Sequence, residues 1–271
     1  MCHFPNVIVN CASIVVEGLV LSAVLLTLNE EKNIRECLES VRPFADELLV
    51  LDSGSSDHTV VWAKEAGARV TTRRFDNYPS QRNAALEEVR GDWIFFIDAD
   101  ERADAAVGEE ICREISRIQN AMSDEVLFWI PRKNYIFGKW IQHTGWSPDY
   151  QPRVLKKGKA WFDPSRSVHE LVVAQGGELY LKQPLIHYNY TTLAEFRARQ
   201  ERYTKFEAQE WYAAGKRARL RGYIGQPIRE FVRRFIKLHG YRDGLYGLWL
   251  STLMGYYAFK RQLYLAQLQK S

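Results

Sequence analysis

Apolar positions in the first two-thirds of the chain fall into short runs separated by polar stretches. Val20–Thr27, Glu47–Leu51, Ala68–Thr72 and Trp93–Ile97 are largely unbroken runs, and apolar stretches of that length predict strands covered on both faces. Between them apolar residues recur at helical spacing. Ile34, Cys37, Leu38 and Val41 are stopped by Pro43, Val60 and Ala63 are closed by Gly67, and Ala84, Ala85, Leu86 and Val89 are closed by Gly91. This β-α-β-α-β-α-β rhythm with short connections predicts an α/β fold, a doubly wound and mostly parallel sheet flanked by helices. Further on, the pattern predicts a helix over 103–119, a strand over 126–130, and short strands over 153–155 and 159–162.

The character changes at Thr191. Leu193, Phe196, Tyr203 and Phe206 lie on a long charged helix, Gly222 and Gly225 are expected to break it, and Pro227 to open the next. In that next helix Ile228, Phe231, Val232, Phe235 and Ile236 share a face, while Arg229, Arg233, Arg234 and Lys237 occupy the others. Residues 244–259 carry no charge, but such a stretch is short for a hydrocarbon core of about 30 Å. A basic amphipathic helix beside an aromatic apolar one predicts lying on a membrane surface rather than crossing it. A helical cap on the sheet, or an oligomer interface, is the alternative use of the same pattern. The expected organisation is an N-terminal extension over 1–19 with no assigned role, a catalytic domain over 20–190, and a C-terminal helical extension over 191–271.

Composition sharpens this picture in three places. With 46% hydrophobic residues in 271 the chain can bury a sizeable core. Cys2, Cys11, Cys37 and Cys112 form no Cys-x-x-Cys, which argues against a zinc ribbon or disulfide scaffold and fits a reducing cytosol. The net charge of +4 conceals +10 on residues 191–271 against −6 on the rest, so the tail expects an anionic partner. Nucleic acid would match the charge but not the uncharged apolar stretch, so an anionic membrane surface is the expected partner and nucleic acid is not. The first nineteen residues lack Lys and Arg, and Asn10 and Glu17 interrupt their apolar run, which does not fit a signal peptide.

The strand Trp93–Ile97 runs into Asp98-Ala99-Asp100-Glu101. Open α/β sheets bind ligands at the C-terminal ends of their strands, and carboxylates there suit Mg²⁺ or Mn²⁺. An acidic turn or helix cap would use the same residues. Two more strand ends are polar, Thr27 to Glu30 and Asp52 to Asp57, and the chain has neither Gly-x-Gly-x-x-Gly nor a Walker lysine motif. A standard dinucleotide-binding or P-loop domain is thereby excluded. Three polar strand ends on one rim predict a nucleotide held by the first two loops, with its phosphates on a metal at the third.

Four motifs stand in order: Thr27-Leu28-Asn29-Glu30-Glu31, Leu51-Asp52-Ser53-Gly54-Ser55-Ser56-Asp57-His58-Thr59, Gln81-Arg82-Asn83 and Ile97-Asp98-Ala99-Asp100-Glu101. With them the chain resembles the nucleotide-sugar half of the family 2 glycosyltransferases, which have the GT-A fold. Within that family it most resembles the bacterial lipopolysaccharide-core glucosyltransferase subgroup. The resemblance covers residues 20–190 and extends into the tail. It implies that Thr27, Asn29 and Glu30 line the nucleoside pocket and that Asp52 accepts from the base imide. It places Arg82 near the pyrophosphate, where a guanidinium offsets phosphate charge, Asp98 at the ribose or sugar, and Asp100 on the metal, Mg²⁺ or Mn²⁺. Asp57 and Asn83 also have a purely local reading, Asp57 as a helix cap.

Inverting transfer needs a carboxylate to take the proton of the attacking hydroxyl. The subgroup has a His-Glu pair where His169-Glu170 stands here. Glu170 is the favoured base and Asp149 competes with it, because the family's usual Glu-Asp pattern is absent. His169 is the second expected metal ligand, and His187 is a further candidate for metal or phosphate contact. The aromatic residues over 134–150 are expected to shape the acceptor side. The function these residues imply is an inverting, metal-dependent transfer from a nucleotide-diphosphate sugar to a saccharide or lipid-linked acceptor. Its expected location is the cytoplasm, peripherally on the inner face of the cytoplasmic membrane. A sugar-nucleotide nucleotidyltransferase and a non-catalytic sugar-nucleotide-binding scaffold are the rival readings.

Overall fold

The first four apolar runs become strands whose limits lie within one residue of those expected. In the computed structural model, which describes residues 20–165 and 171–270, the chain begins β1 (Leu21–Thr27), α1 (Ile34–Val41), β2 (Glu47–Asp52), α2 (Thr59–Glu65) and β3 (Arg69–Thr72). It continues α3 (Tyr78–Glu88), β4 (Trp93–Phe96), β5 (Glu101–Arg102), α4 (Ala105–Ala121), β6 (Glu125–Ile136) and β7 (Lys139–Trp140). Five further strands follow: β8 (Tyr150–Lys156), β9 (Ala160–Phe162), β10 (Val172–Ala174), β11 (Gly177–Tyr180) and β12 (Leu185–Tyr190). Helices α5 (Leu193–Ala213), α6 (Leu220–Val232) and α7 (Leu245–Leu268) complete it.

The main sheet runs β3-β2-β1-β4-β8-β6-β12-β5. Its β3-β2-β1-β4 part is parallel, and β8 then joins β4 and β6 antiparallel, so the sheet as a whole is mixed. Alternate residues of β4 point to opposite sides. Trp93 and Phe95 pack with Ile34, Leu38, Val107 and Ile111, whereas Ile94 and Phe96 pack with Ala85, Leu86 and Phe162. Two apolar layers on one strand explain why the run Trp93–Ile97 carries no polar position.

The chain divides into two compact units. The first holds the described residues up to Arg132 together with Tyr150–His187, and the second holds Lys133–Asp149 and the described residues from Tyr188 onward. Most of the GT-A-like sheet belongs to the first, and β7 with the last residues of β6 and β12 belongs to the second. In the second, Ile136, Ile141, Tyr190, Phe196, Leu250 and Tyr257 form a separate core. Thr192 and Glu195 close a capping box that starts α5.

The expected break at Gly222 and Gly225 is corrected by the structure. The chain turns instead at Gly215, with φ +75°, and both of those glycines and Pro227 lie inside α6. Gly222 serves close approach: a Cβ there would lie 2.7 Å from Gln262 Oε1 of α7. Pro227 forfeits one helical hydrogen bond, and its carbonyl oxygen lies 3.2 Å from where a Cβ on Gly255 would stand. Among the described residues no helix is long and apolar enough to cross a membrane.

Candidate active site

The first two polar loops are braced mainly by each other. Thr27 Oγ1 and Ser55 Oγ donate to Asp52 Oδ1 at 3.1 and 2.5 Å, and the Gly54 and Ser55 N–H groups donate to Oδ2 at 2.9 and 2.8 Å. A carboxylate has about four acceptor positions, and the loop itself takes them, so buried Asp52 shapes the turn in which Gly54 sits at φ +98°. Asn29, at φ +57°, accepts from Ser56 N–H at 2.9 Å and its own N–H donates to Ser55 Oγ. The Glu30 N–H donates to Thr59 Oγ1 at 2.7 Å, and Asp57 accepts from the Thr59 N–H at 3.0 Å, tying down the start of α2.

At the end of β4 the acids meet Arg82 and two arginines that sequence reasoning did not single out, Arg153 and Arg132. Arg153, 3% exposed on β8, donates through one nitrogen to Asp98 Oδ2 and Glu101 Oε1, each at 2.5 Å. Arg132 Nη1 reaches Glu101 at 3.3 Å, and Arg82 lies 3.5 Å from Asp98 Oδ1. Burial pushes the Asp98 carboxyl up, but the Arg153 and Arg82 guanidinium groups outweigh it and hold the carboxyl well below the usual range. Burial lowers the Arg153 pKa, and Asp98 and Glu101 more than reverse that. The signal for Arg153 was available, a lone charge within the strand Arg153–Leu155. The Cys37 thiol touches the Asp98 carbonyl at 3.4 Å, and burial raises it far from reactivity.

The triplet on α3 divides its work. Gln81 donates to Ser53 Oγ and to the Arg73 carbonyl at 3.1 and 3.0 Å. Arg82 is buried between aromatic rings, 5.2 Å from the Phe96 centroid and 5.3 Å from that of Phe162, and so presents a fixed cation to Asp98. Asn83 donates to the Phe162 carbonyl and accepts from the Phe162 N–H, at 2.8 and 2.9 Å, pinning β9 to α3.

The antiparallel register of β5 and β12 sets His187 opposite Glu101, and His187 Nε2 lies 3.5 Å from Asp100 Oδ2. A buried imidazole and a carboxylate make two donors suited to Mn²⁺ or Mg²⁺ completed by substrate oxygens. No group of three or more His, Cys, Asp or Glu forms a metal cluster among the described residues. His169 and Glu170 lie outside the described residues. Asp149 belongs to the second unit, where its Oδ2 accepts from Asn134 Nδ2 at 2.9 Å.

Comparison with known proteins bears directly on this arrangement. The model of the family described as glycosyl transferase family 2 matches residues 22–168. The chain belongs to glycosyltransferase family 2. The lipopolysaccharide core biosynthesis glycosyltransferase LpsC of Rhizobium meliloti (strain 1021) is 31% identical over 88% of this chain and 89% of its own. Glucosyl-3-phosphoglycerate synthase of Mycolicibacterium smegmatis is 38% identical over 31% of each. A solved structure of glucosyl-3-phosphoglycerate synthase from Mycobacterium tuberculosis with Mn²⁺, UDP and glucosyl-3-phosphoglycerate overlaps 51% of each chain, at 27% identity and TM-score 0.37. That overlap is too slight to carry residue roles across. The enzyme class is thus a family 2 glycosyltransferase with a GT-A fold, and the four ordered motifs lie inside the matched segment.

Proposed function

We propose that this family 2 enzyme transfers a sugar, with inversion, from a nucleotide-diphosphate sugar to a lipopolysaccharide-core or similar membrane-linked saccharide. The observation that carries the proposal is the near end-to-end similarity to LpsC. The cross-braced loops at β1 and β2 form a rigid rim for the nucleoside, with Thr27, Asn29 and Glu30 on it. Arg82, held in place by Phe96 and Phe162, offsets charge on the diphosphate. Asp98, kept ionised by Arg153 and Arg82, accepts hydrogen bonds from the donor's sugar hydroxyls.

Asp100 and His187 would hold Mg²⁺ or Mn²⁺, with His169 as a further ligand. When bound, the ion supplies charge neutralisation for the departing nucleoside diphosphate. Glu170 takes the proton from the acceptor hydroxyl as that oxygen attacks the anomeric carbon, and Asp149 is the competing base. The tail supports work at a membrane surface on the cytoplasmic side. Ile224, Ile228 and Ile236 are 69%, 57% and 51% exposed along α6 and the turn after it, a face suited to the headgroup boundary. The experiment is a thermal-shift screen of UDP-, GDP- and ADP-sugars with Mn²⁺, because a bound donor stabilises by mass action. Stabilisation by one sugar nucleotide, abolished in Asp100→Asn, supports the reading; no shift with any of them contradicts it.

A further inference from the structure

A half-open cavity of about 910 Å³ lies within the second unit, where α5 ends and α6 begins. Lys216, Arg217, Arg219, Arg221 and Arg229 line it, and no carboxylate does. Four other cations of this unit are neutralised: Arg233 and Arg234 pair with Glu230, Lys260 with Glu201 and Arg261 with Glu207. Among the described residues none of the five cavity cations is paired with Asp or Glu. Five uncompensated charges around one concavity repel one another unless an anion joins them.

The cavity is more than a charged surface. Gln262 lines it at 3% exposure. Trp211 forms a rigid wall, with Lys216 at 4.5 Å and Arg261 at 4.1 Å from its ring centroid. The α6 N-terminus carries no side-chain cap at Arg219.

We propose that this cavity is a binding site for phosphate groups, carried either by a phosphorylated saccharide or by a phospholipid headgroup. Arginine forks match phosphate oxygens in pairs. The volume exceeds that of a single phosphate and falls in the range of small-molecule sites, roughly 300–1,000 Å³. All its residues lie in the second unit, none of them is assigned a part in donor binding or transfer, and the proposal holds whether or not the donor assignment does.

The test uses the full chain and two probes, glucose 1,6-bisphosphate in solution and phosphatidylglycerol vesicles compared with neutral phosphatidylcholine vesicles. Arg221→Gln/Arg229→Gln removes two exposed cations, and Lys64→Gln/Lys159→Gln removes the same charge from the first unit. At least one probe binds the wild type and loses tenfold or more in the cavity variant, while the charge-matched variant stays within twofold. Binding of the soluble bisphosphate identifies a saccharide source, and binding of anionic vesicles alone identifies a headgroup source. On the wild type, the bound probe protects Lys216 from acetylation and leaves Lys64 reactive, a readout that needs no variant. Binding of neither probe, equal losses in the two variants, or an unprotected Lys216 overturns the proposal.

Discussion

Removing Arg153 tests whether the acids at the end of β4 are held as the structure shows. Arg153→Met keeps much of the side-chain length and deletes the cation shared by Asp98 and Glu101. Glu101 is fully buried, and stripping one partner from a buried pair costs about 3–5 kcal/mol. Arg132 still reaches Glu101 at 3.3 Å, and the Asp98 side chain is 39% exposed and solvent-screened, so the lower end, about 3 kcal/mol, applies. At roughly 2–4 °C per kcal/mol for a chain of this size, Tm falls by roughly 6–12 °C at pH 7.

The pH dependence has a definite sign. Asp98 is depressed in the folded state, so its contribution is fully present above the ordinary Asp range near 4 and is lost as pH falls toward its lower folded value. In Arg153→Met the folded value returns toward the ordinary one and that acid loss shrinks. The Tm gap between the two proteins therefore narrows between pH 5 and pH 3. Scanning calorimetry at those pH values and at pH 7 measures it. A Tm within 2 °C of wild type at pH 7, or a gap that widens on acidification, would refute the reasoning.

Other substitutions probe separate links. Asn83→Ala strands the Phe162 N–H and carbonyl and is expected to cost about 1–3 kcal/mol in urea denaturation; an unchanged midpoint would deny that Asn83 pins β9. Gly247→Ala places a Cβ 1.8 Å from the Gly240 carbonyl oxygen, and the clash outweighs a helix-propensity gain of about 1 kcal/mol. Faster limited proteolysis within the second unit should report it. His187→Ala should weaken Mn²⁺ binding by calorimetry about tenfold or more, whereas unaltered binding would remove His187 from the site.

Strands β1 to β4 and the first four helices were legible because strands covered on both faces leave runs of apolar residues, as at Trp93–Ile97. The short strands β5, β7 and β10 to β12 leave no such run. Helix punctuation in the tail was less legible. Gly222 carries the mark of a breaker, but it lies under Gln262 of α7, a tertiary demand that local propensity cannot reveal. The Asp98-Ala99-Asp100 motif was plain, whereas its holder, Arg153, is 55 positions away on β8 and is brought there by strand pairing. The same holds for His187, whose place beside Asp100 follows from the β5–β12 register. Asn83 had a local reading and a family motif around it, and the structure gives it a bracing contact 79 positions distant.

Transfer of labelled sugar from a nucleotide donor to a lipopolysaccharide-core acceptor, with release of nucleoside diphosphate, tests the central claim most directly when run on wild type and Asp100→Asn. The account predicts Mn²⁺- or Mg²⁺-dependent transfer by the wild type and a loss of about 100-fold or more in the variant, at an unchanged Tm. Full transfer by Asp100→Asn, or transfer by the wild type that survives complete removal of divalent ions, would contradict it.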